Sequence, residues 1–158
     1  MKQLFIFTLL MVLSVHYTWG QCTISCNSTQ ENTFIGILTP SASISGTDNV
    51  AIGQAAARFL TTGNDNTAIG RSAGINLGAS SRNTIIGNLA GRSSSIGSGN
   101  VFIGNQAGEF ATVSNQLYID NSNTASPLIW GNFSSNEVNI NGELGINNNN
   151  PVYPLEID

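Results

Sequence analysis

Two pairs of carboxylates are the residues best placed to do chemistry. Asp48 and Asp65 lie 17 residues apart in equivalent positions of a repeat, and Glu137 and Glu143 lie close together further on. Paired acids can serve as acid and nucleophile, or acid and base, in glycoside hydrolysis. Such acids need burial and neighbours that tune them. The position shared by Asp48 and Asp65 is instead followed, one repeat later, by Arg82, as on a mixed solvated surface. Asp directly before Asn also favours local turn hydrogen bonds, so both acids are expected to be turn residues. A Ser-His-acid arrangement needs a base. The only Lys and His, Lys2 and His16, lie in the first twenty residues. A non-enzymatic protein is therefore expected, with no cofactor.

Metal and redox chemistry are equally thin. Cys22 and Cys26 are the two cysteines, spaced as a candidate disulfide in an oxidising compartment. The loop they would close is tiny, so its entropic stabilisation would be small. Two thiolates do not complete a zinc site. Asp120-Asn121-Ser122-Asn123 lacks the Gly and Glu of a calcium loop and reads as a turn. Trp130, Phe133 and Tyr153 are candidate sugar platforms, with core or subunit contact the expected role. No metal site is expected.

Export is the expected fate. Residues 1–20 combine Lys2, the apolar run Leu4–Val15 and a small residue, Gly20, before Gln21. That is the layout of a cleavable signal peptide, too short for a membrane span. Gln21 stands where a lipidation motif requires a small residue, so simple secretion is preferred over a lipid anchor. After cleavage four Arg face nine acidic residues, 4 − 9 = −5. An acidic surface argues against nucleic-acid binding, which rests on clustered cations. The expected location is extracellular or at the cell surface.

Residues 21–31 read as a polar leader, and the elements that position everything else follow. The phrases NTFIG, NVAIG, NTAIG, NTIIG and NVFIG begin at Asn32, Asn49, Asn66, Asn83 and Asn100, each 17 residues after the last. Strict spacing signals one unit stacked repeatedly. The expected fold is all-β: a parallel β-roll, or solenoid, of about five 17-residue turns over 32–116, followed by a small β-rich module over 117–158.

Columns of the repeat carry the physics. Ile35, Ile52, Ile69, Ile86 and Ile103 lie two residues after Thr33, Val50, Thr67, Thr84 and Val101, so the two columns share one strand face. That β-branched face is expected to line the interior. The residues between, Phe34, Ala51, Ala68, Ile85 and Phe102, would then face outward and call for a second chain. Gly36, Gly53, Gly70, Gly87 and Gly104 are expected at corners needing positive φ or close backbone approach. The Asn column is expected to hydrogen-bond from rung to rung and hold the register. Small residues at Ala56, Ala73, Ala90 and Ala107 imply a tight space, and Ile37–Gly46 reads as an atypical first rung. Each unit reads as two short strands and two turns. After Gly108 the period fails, and Ser114–Asp120 resembles a strand out of register. Beyond it, Leu128–Trp130, Val138–Ile140, Leu144–Ile146 and Leu155–Ile157 read as short strands. The run to Asp158 reads as a truncated end.

The pattern N-[TV]-x-I-G-x-x-A-[AG], clearest at Asn49–Ala57 and Asn66–Gly74, resembles the head repeats of YadA-like trimeric autotransporter adhesins. The resemblance covers residues 32 to about 108. It implies a parallel β-roll, a homotrimer and a surface that attaches to extracellular proteins, glycans or cells. The 17-residue period is longer than that family's, so extra residues must bulge at one turn. Leu144–Asp158 is similar to segments of secreted bacterial and phage-fibre-like proteins that precede trimerising domains. A tailspike-like glycan-binding or glycan-cleaving protein is the alternative. An ice-binding solenoid ranks below it, because Val50 and Val101 interrupt the Thr column.

Overall fold

The computed structural model describes residues 23–27, 30–40, 44–93, 96–146 and 155–157. The segment expected to be a signal peptide lies outside them, as do Cys22 and Tyr153. Cys26 is described by its backbone alone, so the candidate disulfide is not placed. No helix occurs among the described residues, and none is long and apolar enough to cross a membrane.

The repeats fold as the sequence expects, into a parallel β-solenoid. One strand comes from each copy: β2 (Asn32–Gly36), β3 (Val50–Ile52), β4 (Thr67–Ile69), β5 (Thr84–Ile86) and β6 (Val101–Ile103). They stack in parallel with like columns facing like, Val50 on Thr67 and Ile52 on Ile69. Main-chain bonds continue the ladder through the corners, from the Val50 N–H to the Asn66 carbonyl and from the Gly70 N–H to the Ile52 carbonyl, both 2.8 Å.

Each rung carries one strand, not two. The other half of the rung is a chain of turns, still bonded between rungs: the Ala57 N–H donates to the Ala73 carbonyl at 2.9 Å, and Gly74 to Ala90 likewise. Left-handed residues recur there, at Ala55, Ala57, Ser72, Gly74, Leu89, Gly91, Gln106 and Gly108. Two left-handed positions in three residues curl the chain too tightly for a strand.

A sixth parallel strand, β7 (Gln116–Ile119), stacks on β6 with Leu117 opposite Val101. The sequence placed this segment out of register. It stays in register because one residue is lost from the turn, not from the strand, so the offset is 16 rather than 17. Turn length can change without disturbing strand pairing.

The sheet is closed at its ends by antiparallel strands. β1 (Thr23–Asn27), inside the expected leader, pairs with β2, while β8 (Ile129–Asn132) and β9 (Glu137–Ile140) continue from β7. β10 (Leu144–Ile146) and β11 (Leu155–Ile157) form a separate parallel pair. The four short strands expected in the final third are present.

The core runs along the inside of the roll. Phe34, Ala51, Ala68, Ile85 and Phe102 are buried, with Ala56, Ala73, Ala90 and Ala107 facing them from the turn side. The expected inside and outside of the strand are therefore exchanged. The reason is volume. A 17-residue rung with one strand encloses a narrow space, which one side-chain column fills. Rungs with Ala51 or Ala68 on the strand carry Leu60 or Leu77 across from them, and the Phe102 rung carries Ala111. Gly108 belongs to the same accommodation, since a Cβ there would stand 2.7 Å from the Phe102 ring.

Candidate docking face

Exchange of the two strand faces turns the Thr/Val and Ile columns outward. Thr33, Val50, Thr67, Thr84, Val101 and Leu117 are half-buried, as are Ile35, Ile52, Ile69 and Ile119, while Ile86 and Ile103 are exposed. Stacking covers the flanks of each side chain and leaves its tip open. The face is two columns wide, uncharged and apolar in its second column. Contiguous apolar surface is a feature that interaction sites share.

The Asn and Gly columns fix the strand ends that frame this face. Asn32, Asn49, Asn66, Asn83 and Asn100 are buried. The Asn49 Oδ1 accepts from the Asn66 backbone N–H at 3.0 Å and from its Nδ2 at 2.9 Å. The Asn66 Nδ2 also donates to the Ser80 carbonyl at 2.8 Å, tying the strand to the preceding end of the next rung. The same ladder joins Asn32 to Asn49 and Asn66 to Asn83. The expected register role of this column is what these bonds perform. Buried amides would be costly unpaired, and here pairing with the neighbouring copy fixes rung on rung.

At the last copy the ladder frays. The Asn100 Oδ1 still accepts from the Gln116 N–H at 2.8 Å, but the Asn100 Nδ2 has no partner. Asn100 also lacks the Nδ2 bond to the preceding Asn Oδ1 that Asn49, Asn66 and Asn83 make.

The Gly column sets the other strand end. Gly36, Gly53, Gly70, Gly87 and Gly104 have φ between 120° and 145°, and a Cβ on Gly70 would fall 2.4 Å from the Gly87 oxygen. Backbone in adjacent rungs approaches too closely for any side chain. The expectation of a Gly corner holds.

The residues considered for catalysis are not gathered into a site. Asp48 and Asp65 are exposed, with φ of 59° and 57°, at the corner just before each Asn. Glu31, Arg82 and Asn115 adopt the same left-handed geometry in equivalent places, which identifies the position as a turn. Glu137 and Glu143 are exposed, and the Ser135 hydroxyl donates to Glu137 at 3.1 Å. The Asp120 carboxylate accepts from the Asn121 N–H at 2.8 Å and the Ser122 hydroxyl at 3.0 Å, as an exposed turn does. Among the described residues no cluster of three or more His, Cys, Asp or Glu side chains could hold a metal ion. Trp130 is half-buried opposite Tyr118, and Phe133 is exposed.

One buried acid escaped the sequence reading. Glu109 is 4% exposed, and its carboxylate accepts from the Arg92 guanidinium at 2.9 Å and from the Gln106 Nε2 at 2.8 Å. The pair spans adjacent rungs, so it buttresses the turn side. An Arg and a Glu in the same column one repeat apart were the signal.

No family model matches the chain, and neither curated proteins nor solved structures provide a match.

Proposed function

We propose that this is an exported, non-enzymatic fibre or head segment, assembled as a homotrimer through its outward strand face and serving in surface attachment. The observation that carries the reading is the two-column face of Thr/Val and Ile. It repeats over six rungs, is held in register by the Asn ladder and is uncharged. The partner surface invoked from sequence stays in the account but changes address, from the middle residue of each strand to its two neighbours. A thin solenoid core makes such association energetically useful. The signal-peptide-like start and the resemblance to adhesin head repeats support the extracellular setting.

Light scattering on the purified protein tests the assembly, with three times the chain mass expected and a stable monomer refuting it. Turnover of polysaccharides lost on Asp48→Asn or Glu137→Gln would favour a tailspike-like enzyme instead.

A second reading gains from the same observation. An outward, rung-spaced Thr-containing face is also what an ice-binding solenoid presents. Thr occupies three of the five repeat positions in its column and Ile fills the other column throughout. Thermal hysteresis that disappears on Thr67→Arg would favour ice over a second chain.

A further inference from the structure

Beyond the fifth rung the two halves of the roll part company. The strand half continues through β7, β8 and β9, whereas the chain leaves β7 into an exposed loop at 121–126 and forms no sixth turn half among the described residues. The inner column of the sheet therefore runs on past the last closed rung, from Phe102 to Tyr118 and Trp130. Tyr118 is half-buried and stands edge-on to Phe102, with ring centroids 5.4 Å apart. A cavity of about 200 Å³ lies at this step. Its walls are Tyr118 on the strand side, Gly108, Glu109 and Phe110 on the turn side, and Asn123 and Thr124 from the loop.

The turn side ends in an open main-chain donor. In three successive rungs the residue at this position donates its N–H to a carbonyl of the next rung: Ala57 to Ala73, Gly74 to Ala90 and Gly91 to Ala107. Gly108 is next in line. It is buried, and its N–H meets no acceptor among the described residues. A buried main-chain donor is rarely left unpaired in a folded protein.

We propose that this step binds one neutral pyranose ring, the end residue of a glycan. The cavity is smaller than the roughly 300–1,000 Å³ of drug-sized sites, which suits a single ring and not a length of peptide. Tyr118 and Phe110, the latter 68% exposed, offer aromatic surface to the apolar face of such a ring. The Gly108 N–H and the Asn123 and Thr124 side chains offer hydrogen bonds to its hydroxyls. The walls offer no free charge, since the Glu109 carboxylate is taken up by Arg92 and Gln106. No second acid lines the cavity, so binding and not hydrolysis is expected. The proposal deepens the attachment reading above, on which its use rests, by naming the class of ligand. Tyr118 lies on the opposite strand face from the Ile column, so sugar binding and self-association use different sides of the sheet.

The test is saturation-transfer NMR of the full protein titrated with the methyl glycosides of glucose, galactose, mannose and N-acetylglucosamine. At least one is expected to bind saturably. Phe110→Ala and Asn123→Ala, both at exposed positions, are each expected to weaken that binding about three- to tenfold with circular dichroism unchanged. No saturable binding to any of the four, equal binding by the parent and both variants, or tighter binding of the anionic N-acetylneuraminic acid overturns the proposal. So does preferential binding of a peptide copying residues 71–80, which would extend the main-chain ladder as a further turn half does. Sedimentation equilibrium of the same samples reads the assembly separately. A monomer that binds sugar supports this site and refutes the trimer, and a trimer that binds none does the reverse.

Discussion

The repeat array and the terminal hairpin share one nine-stranded sheet and differ in everything that surrounds it. In the array each strand has a second wall: the turn half of its own rung closes over it and buries the middle residue, as at Ala68 and Phe102. Over β9 the described residues supply no such wall, and Glu137, Val138, Asn139 and Ile140 are all exposed. Val138 and Ile140 are as β-branched as any residue of the array. Strand propensity forms both regions, whereas only the rung geometry supplies a core. The comparison teaches that a turn half closing over the strand, not the NTAIG phrase alone, gives the array its core.

The comparison can be broken most forcefully from inside the roll. Phe102→Ala empties the largest buried side chain of its rung, and a loss of about 3–5 kcal/mol is expected in denaturant unfolding. A smaller effect should follow from the ladder, and it should depend on position. Asn66→Ala strands the Ser80 carbonyl and the Asn83 donors and leaves the Asn49 Oδ1 only the backbone N–H of residue 66, for a loss of about 3 kcal/mol. Asn100→Ala removes a side chain whose Nδ2 already lacks a partner, so it should cost about 1–2 kcal/mol less than Asn66→Ala in the same titration. Equal costs for the two would mean that rung-to-rung amide bonding does not distinguish them. At the small end, Val138→Thr in β9 should change stability by no more than about 0.5 kcal/mol. A loss above about 2 kcal/mol there would show that β9 has a covering wall after all.

Much of this architecture was legible in the residues. The period gave the rung, the Gly column its corner, the Asn column its register and the Ala column its tight interior, because each rests on one residue type doing one thing in every copy. The orientation of the strand was not legible. Two invariantly β-branched columns suggest burial by composition, and the middle column looks variable. Yet a narrow rung buries one column only, and that column varies because Leu60, Leu77 and Ala111 vary against it. Reading the strand and turn columns as pairs of complementary volume would have pointed the strand the right way. The sixth rung was missed for a related reason: a one-residue loss from a turn breaks the period in sequence but not the pairing in space. The docking face follows from the strand's orientation and shared its fate.

The outward direction of the Ile column and its cover by a second copy stand or fall together in one measurement. Sedimentation equilibrium of the protein carrying Ile69→Arg and Ile86→Arg should give a folded species of one chain mass, with unchanged circular dichroism, where the parent gives a multiple of it. A variant that remains as associated as the parent, or one that unfolds because those positions are interior, would contradict the account.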